Sequence, residues 1–365
     1  MPAHHAMLNG VLGIDPKAAR ASWTVFLVAL VLLAAYALRQ TLAVFVIALL
    51  FAYLLAPLVG FVERVTPHRV SPRVALAIVY LVLVGAIVAL GFTLGSRLAD
   101  EANSLATQLP ALVKNPTWMQ QIPLPGWLEP ARANIIQKVQ DQLSNGGEEI
   151  LPYIKGLGGQ LVSGAKYALY LVLIPILAFF FLKDGALMRD EFVAALVEER
   201  RRPVVDNILE DINLLLGQYI RALVLLAVAS FTVNSIFLAA SGAPYAVLLA
   251  GAAGLGEFIP VLGPAASALI ILLVTSLSGY THVFLFVIFW VIYRMVQDYV
   301  LSPYLMSKGV QLNPMLVLFG VLAGDQIAGV LGMFLSVPLL AILRVLFVRL
   351  RRVRSLDLVA PRREL

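Results

Sequence analysis

Three carboxylates stand in stretches of this sequence that are otherwise almost free of charge. Asp298 lies at the end of the apolar run from Val283 to Val300, four residues after Arg294. Glu257 and Asp325 each interrupt an apolar stretch punctuated by glycine and proline. Placing an ionised group at the centre of a bilayer costs about 2.5–3.5 kcal/mol on insertion scales, so such a residue is a functional candidate by default. The chemistry open to them is the binding of a proton, a cation or a polar solute. Residues four apart share a helix face, so Arg294 can tune the charge of Asp298; the plainer alternative is a structural ion pair. Glu257 and Asp325 sit at breaks where backbone amides and carbonyls can join in coordination. The alternative for both is a tip that reaches water. Arg221 and Asn234 lie in the preceding apolar run. Arg221 can meet an anionic group or snorkel to an interface. Asn234 can line a site or make a hydrogen bond between helices.

The spacing supports no enzyme. Serine, histidine and acid are not grouped at any catalytic interval, and there is no Gly-Lys-Ser/Thr phosphate loop, which argues against an ATP-driven pump. The chain has no cysteine and only four histidines, His4, His5, His68 and His282. Neither disulfides nor a thiolate or histidine metal centre is expected, and no cofactor. The net charge of +6 comes mostly from basic ends of apolar runs and carries no nucleic-acid signature.

Composition names the solvent. Hydrophobic residues make up 61% and charged residues 13%, with a mean hydropathy of +0.90. A soluble domain with that balance would lack polar surface, so the expected class is an all-α polytopic membrane protein embedded in a lipid bilayer. The first apolar run, after Lys17 and Arg20, is long and lacks a small-residue cleavage site, so it reads as a span rather than a signal peptide.

Runs long enough to cross about 30 Å of hydrocarbon divide the chain. Residues 1–96 hold three spans, from Ala21, Gln40 and Val74 onwards. Arg64, Arg69 and Arg73 follow the second, which makes that loop and the N-terminus cytoplasmic by the positive-inside rule. Residues 97–161 mix charges and prolines with apolar positions at helical spacing, and read as a periplasmic amphipathic helical cap. Residues 162–182 form a fourth span ending in Phe-Leu-Lys-Asp-Gly. Residues 183–215 read as cytoplasmic amphipathic helices, with Arg200, Arg201 and Arg202 at the elbow near anionic headgroups. Residues 345–365 are a basic tail, cytoplasmic by the same charge rule.

Residues 216–344 are the expected transport core. A helix followed by an apolar hairpin occurs twice. Pro260, Gly263 and Pro264 set the first break, because proline removes an amide donor and glycine tolerates unusual dihedrals. Gly329 and Gly332 serve the second. If one hairpin enters from each side, the two units form an inverted repeat of discontinuous, re-entrant helices. Eight full spans are the competing topology. Both arrangements leave both termini inside.

Phe258-Ile-Pro-Val-Leu-Gly-Pro264 resembles the autoinducer-2 exporter family of bacterial inner-membrane proteins. So do Phe181 to Gly185, Tyr219-Ile-Arg221, Asp298 to Pro303, Lys308 to Pro314, and Gly329 through Pro338. The family usually has an aromatic residue where Val261 stands, often asparagine at 257 and often glycine at 325. The two carboxylates therefore mark a departure. The resemblance implies export of a small hydrophilic solute, autoinducer-2 foremost; without a phosphate loop, coupling to an H+ or Na+ gradient or facilitated diffusion is left to drive it. Some relatives are assigned Na+(Li+)/H+ exchange, the first alternative. A non-transporting membrane scaffold is the second. The amphipathic cap and small-residue spans permit a homo-oligomer.

Overall fold

The structure, a computed structural model, describes residues 16–65, 72–114, 130, 165–305 and 312–359. Among the described residues it is helical, with no strand. Helices α1 (Pro16–Ala37), α2 (Arg39–Val65) and α3 (Pro72–Lys114) are followed by α4 (Ala165–Leu196) and α5 (Arg202–Ala240). Then come α6 (Ala246–Gly256), α7 (Leu262–Leu277), α8 (Val283–Val296), a short α9 (Ser302–Leu305) and α10 (Pro314–Val359). Six helices among the described residues are long and apolar enough to cross a membrane. Their outward faces carry large apolar side chains: Leu33, Leu81 and Ile236 are all more than 60% exposed. Only hydrocarbon tolerates such a surface, and in hydrocarbon a helix satisfies its own backbone.

Several expected segments are continuous in the structure. The third span and the first cap helix form one 43-residue helix, α3. The fourth span runs on into the first cytoplasmic amphipathic stretch in α4. The second such stretch and the fifth span form the 39-residue α5. The rest of the expected cap, except Pro130, lies outside the described residues. So do the N-terminal histidines and the loop after α2.

Helix α5 is the strut on which two hairpins are hung. In the first, the chain reverses between α6 and α7. Gly256 and Gly263 meet there so closely that a Cβ on Gly263 would overlap the Gly256 carbonyl. Val261, at the reversal, has φ +67° and ψ −55°. Its neighbours close a three-residue turn, Leu262 N–H donating to the Pro260 carbonyl at 2.7 Å. That conformation is rare and strained, and a β-branched side chain adds to the strain. Pro264 falls in the first turn of α7, where an amide would have no intrahelical partner.

The second hairpin lies within α10. The backbone leaves the helical region at Ala328 and Gly329, the latter at φ +57°. Gly324 and Gly332 then cross as the first glycine pair does, and a Cβ on Gly320 would strike the Leu340 side chain. In a straight helix those last two residues would stand about 30 Å apart, so the arms must be antiparallel. Asn313 caps the first arm, its Oδ1 accepting from Met315 N–H at 2.9 Å, with Pro314 in the first turn.

The two hairpins reach the middle of α5 from opposite ends. At the far end, Glu101 of α3 accepts from Leu248 N–H at 2.7 Å and so caps α6 in trans. Tyr245 OH donates to Gln108 beside it at 3.1 Å. At the near end, Arg349 of α10 pairs with Asp211 of α5 at 2.6 Å. Between them the tips touch, Phe258 lying edge-on to Phe334 at 5.6 Å. An apolar groove of about 820 Å³ opens at this meeting point, walled by α2, α5 and both hairpins. The principal core packs α5 through α8 together, with Leu238, Leu249, Ile271 and Phe286 fully enclosed.

Candidate functional site

A polar cavity lies where α5, the first hairpin and α8 converge. Ser230 and Asn234 come from α5, Glu257 and Ser267 from the hairpin, and Trp290, Tyr293, Arg294 and Gln297 from α8 and its continuation. The cavity leaves about 10 Å³, roughly the room of one water-sized sphere.

The elements explain why these residues meet. The close approach of α6 to α5 is set by Gly254, where an added Cβ would come within 3.0 Å of the Ala227 carbonyl and of Phe231. Glu257 is the first residue after α6 and is 8% exposed. A carboxylate at a helix C-terminus gains nothing from the helix dipole, so its partners must come from elsewhere. They come from α8. Its end widens into a π-helical turn over Gln297–Leu301. Gln297 there is 1% exposed. Its Nε2 donates to Glu257 Oε2 at 2.7 Å.

Arg294 joins two acids. Its Nε and Nη2 each reach Asp298 at 2.9 Å, a two-pronged grip. Its Nη1 faces Glu257 Oε1 at 3.9 Å, beyond hydrogen-bond length. Two carboxylates and one guanidinium leave this cluster with a formal charge of −1. Three buried polar atoms on the lining residues make no hydrogen bond, Asn234 Oδ1, Arg294 Nη1 and Gln297 Oε1, while the Tyr293 hydroxyl lies against Ser230. Buried polar groups are ordinarily paired, so three orphans in one small cavity need an explanation.

Of the residues singled out from sequence, Glu257, Asn234 and Arg294 are brought together here. Asp298 stands at the rim, its side chain 44% exposed, and holds Arg294 from outside. Arg221 lies elsewhere on α5, bonded to the Gly217 carbonyl one turn back at 2.7 Å. Asp325 is exposed on the second hairpin and makes no ion pair with a described residue. No group of acids and histidines among the described residues could hold a metal ion. Sequence reasoning missed Gln297, Tyr293, Trp290, Ser230 and Ser267. Gln297 had a legible signal, as an amide beside Asp298 and three residues after Arg294.

Comparison with known proteins gives one consistent result. Residues 25–352 match the model of a family described as AI-2E family transporter. "Putative transport protein YueF" of Bacillus subtilis is 23% identical over 332 residues, covering 87% of this chain and 88% of the relative. A "Putative transport protein" of Methanothermobacter thermautotrophicus is 26% identical over 87% of this chain and 90% of its own. "Putative transport protein YrrI" of Bacillus subtilis is 30% identical, but that match spans only about half of either chain (52% and 53%).

Proposed function

Since the chain belongs to the AI-2E family of transporters, we propose that it is a secondary transporter exporting a small hydrophilic solute, with autoinducer-2 as the candidate, in exchange for protons. It works in the inner membrane with both termini cytoplasmic. The observation that carries this reading is Glu257, a carboxylate buried at a helix break among unpartnered polar atoms. Ionisable groups held at such a place are costly unless they work. Glu257 is the proton-carrying group, Arg294 offsets its charge, and Asp298 tethers Arg294 from the rim.

The hairpins are re-entrant in this reading. At 1.5 Å per residue the 11 residues of α6 and the 16 of α7 reach about 17 and 24 Å, short of about 30 Å of hydrocarbon. The inverted repeat supplies the movement: the first hairpin shifts against the second across the apolar groove, exposing the cavity to either side in turn.

One observation favours solute over cation exchange. Arg294 Nη1 is a buried donor without a hydrogen bond, its facing carboxylate standing off at 3.9 Å, and a bare Na+ or Li+ cannot satisfy it. Everted vesicles carrying a pH gradient, followed with a pH dye, test the proposal. Autoinducer-2 should collapse the gradient in the native protein and leave it intact in Glu257→Gln. Collapse with Na+ or Li+ alone would overturn the choice of substrate, and an undiminished response in Glu257→Gln would overturn the role of Glu257.

A further inference from the structure

The groove at the hairpin tips offers almost nothing to a polar occupant and is open to the bilayer. It measures about 820 Å³ and is walled by α2, α5 and both hairpins, a size within the range of ligand sites. Ser267 brings the one side-chain hydroxyl on its wall, and that hydroxyl donates to the Pro264 carbonyl at 3.0 Å. Water would find no partner there, and apolar cavities of this kind stay dry. The open side faces lipid, with Leu255 and Val330 of the wall 71% and 66% exposed. Hydrocarbon is the occupant such walls admit.

A chain gains little by moving from bulk lipid into the groove, because lipid tails are as apolar as leucine. What singles out one lipid from its neighbours must then be its headgroup, and Arg221 supplies the discrimination. It stands in α5 beside Ile220 and close to Val224, both on the groove wall. Among the described residues it forms no ion pair. Its Nε donates to the Gly217 carbonyl one turn back at 2.7 Å, so the guanidinium folds towards the start of α5. A Cβ on Gly217 would come within 3.6 Å of Arg221 Nη2 and 3.5 Å of Tyr53 of α2, so the glycine leaves the guanidinium its room at the seam of the two helices. Arg221 lies about 8 Å along the helix from Leu216, where the expected span begins. A snorkelling arginine covers that distance and carries its charge to the headgroup layer.

We propose that the groove binds an acyl chain of an anionic phospholipid from the cytoplasmic leaflet, with the phosphate on Arg221. This goes beyond the transport reading and rests on it only for the side of the membrane at which α5 begins. The cytoplasmic leaflet carries the negative surface potential. Nη1 and Nη2 are the donors left once Nε is taken, and two parallel donors match a phosphate.

The test uses the full chain in phosphatidylcholine nanodiscs. A small fraction of the lipid is phosphatidylglycerol, or phosphatidylcholine, with a diazirine at the end of one acyl chain. After irradiation, peptide mass spectrometry locates the adducts. On Ile47, Leu54, Val224 and Val330 the phosphatidylglycerol should label roughly fivefold more than the phosphatidylcholine, the enrichment that one arginine near an anionic surface supplies. On Leu81 and Ile236, exposed outside the groove, the two lipids should label alike. Arg221→Gln should bring phosphatidylglycerol down to the phosphatidylcholine level in the groove. Val330→Trp narrows the groove from its open side and should lower both. Equal groove labelling by the two lipids, groove labelling no heavier than at Leu81 and Ile236, a preference that survives Arg221→Gln, or labelling unchanged in Val330→Trp would each overturn the site. A second copy of the chain seated over the groove would shield it and give the second of these results. The comparison of the two lipids needs no variant, so a misfolded variant does not rescue the idea. None of these readouts involves transport, so their failure leaves the exporter reading standing, and flux indifferent to Glu257 would leave the lipid site standing.

Discussion

Removing Arg294 should be far more damaging than removing the acid it faces. At 3.9 Å and an effective dielectric constant of about 20, the attraction between Arg294 and Glu257 is about 4 kcal/mol. Arg294→Met keeps much of the side-chain volume and deletes the charge. Glu257, 8% exposed, would then be a buried carboxylate with only the neutral Gln297 amide and Ser230 hydroxyl beside it. Breaking a buried pair from one side costs about 3–5 kcal/mol, and Asp298, its side chain 44% exposed, adds little because solvent screens its loss. Glu257→Gln is different. Arg294 keeps Asp298, and a glutamine oxygen at 257 can still accept from Gln297, so the expected cost is about 1 kcal/mol. The pair of substitutions together should recover about 2–3 kcal/mol of the Arg294→Met loss, because no charge is then stranded. Unfolding by SDS titration in mixed micelles measures all four corners of the cycle. An Arg294→Met variant within 1 kcal/mol of the native protein would refute the reasoning. So would a double variant no more stable than Arg294→Met alone.

Three further outcomes test the scaffold around the cavity. Gly263→Ala forces a Cβ into the Gly256 carbonyl and should cost about 3 kcal/mol or more, whereas Gly60→Ala, with nothing within 4 Å, should gain about 0.5–1 kcal/mol from helix propensity; equal effects in the same titration would contradict the glycine crossing. Val261→Gly should stabilise the first hairpin by about 1 kcal/mol by relieving the positive φ, and an unchanged or lower unfolding midpoint would show that the turn is not strained. Glu101→Ala removes the cap from α6 at a cost of about 1 kcal/mol, visible as faster amide exchange at Leu248; unaltered exchange there would mean the cap does not hold the hairpin.

Much of the architecture was legible because bilayer physics leaves few choices. Apolar runs, arginine placement and the Gly/Pro breaks at 257–264 and 328–332 suffice to expect helices and two reversals. Where helices continue was not legible. The expected end of the third span at Ser96 is an interior position of α3, since α-helical hydrogen bonding continues from lipid-facing to amphipathic sequence without a break. The site was half legible for a related reason. Polarity marked Glu257, Asn234 and Arg294, but the inward residue next to them turned out to be Gln297 and not Asp298. That choice depends on the π-helical turn, which shifts the phase of the side chains and leaves no periodicity to read. Tyr293 and Trp290 look like ordinary span aromatics until the hairpin is packed against them.

The two hairpins share a geometry and not a chemistry, and that difference bears on the mechanism. Each has a glycine pair in backbone contact, Gly256 with Gly263 and Gly324 with Gly332. Each carries one acid near its bend. Yet Glu257 is buried against Arg294 and Gln297, while Asp325 is exposed. The reason lies in what each bend faces. The first turns towards α8, which offers a guanidinium and an amide. The second presents Phe334 to Phe258 and lines an apolar groove with Val330 and Leu331. Two hairpins of like geometry, with the polar cavity against the first alone, put the buried charge off their pseudo-symmetry axis. The first hairpin carries the charge, and the second supplies the apolar surface against which it would slide in the proposed movement. Polar substitution at Phe334 should therefore impair transport in the vesicle assay while leaving the stability coupling between Arg294 and Glu257 unchanged, and a Phe334 variant with native flux would refute this division of roles.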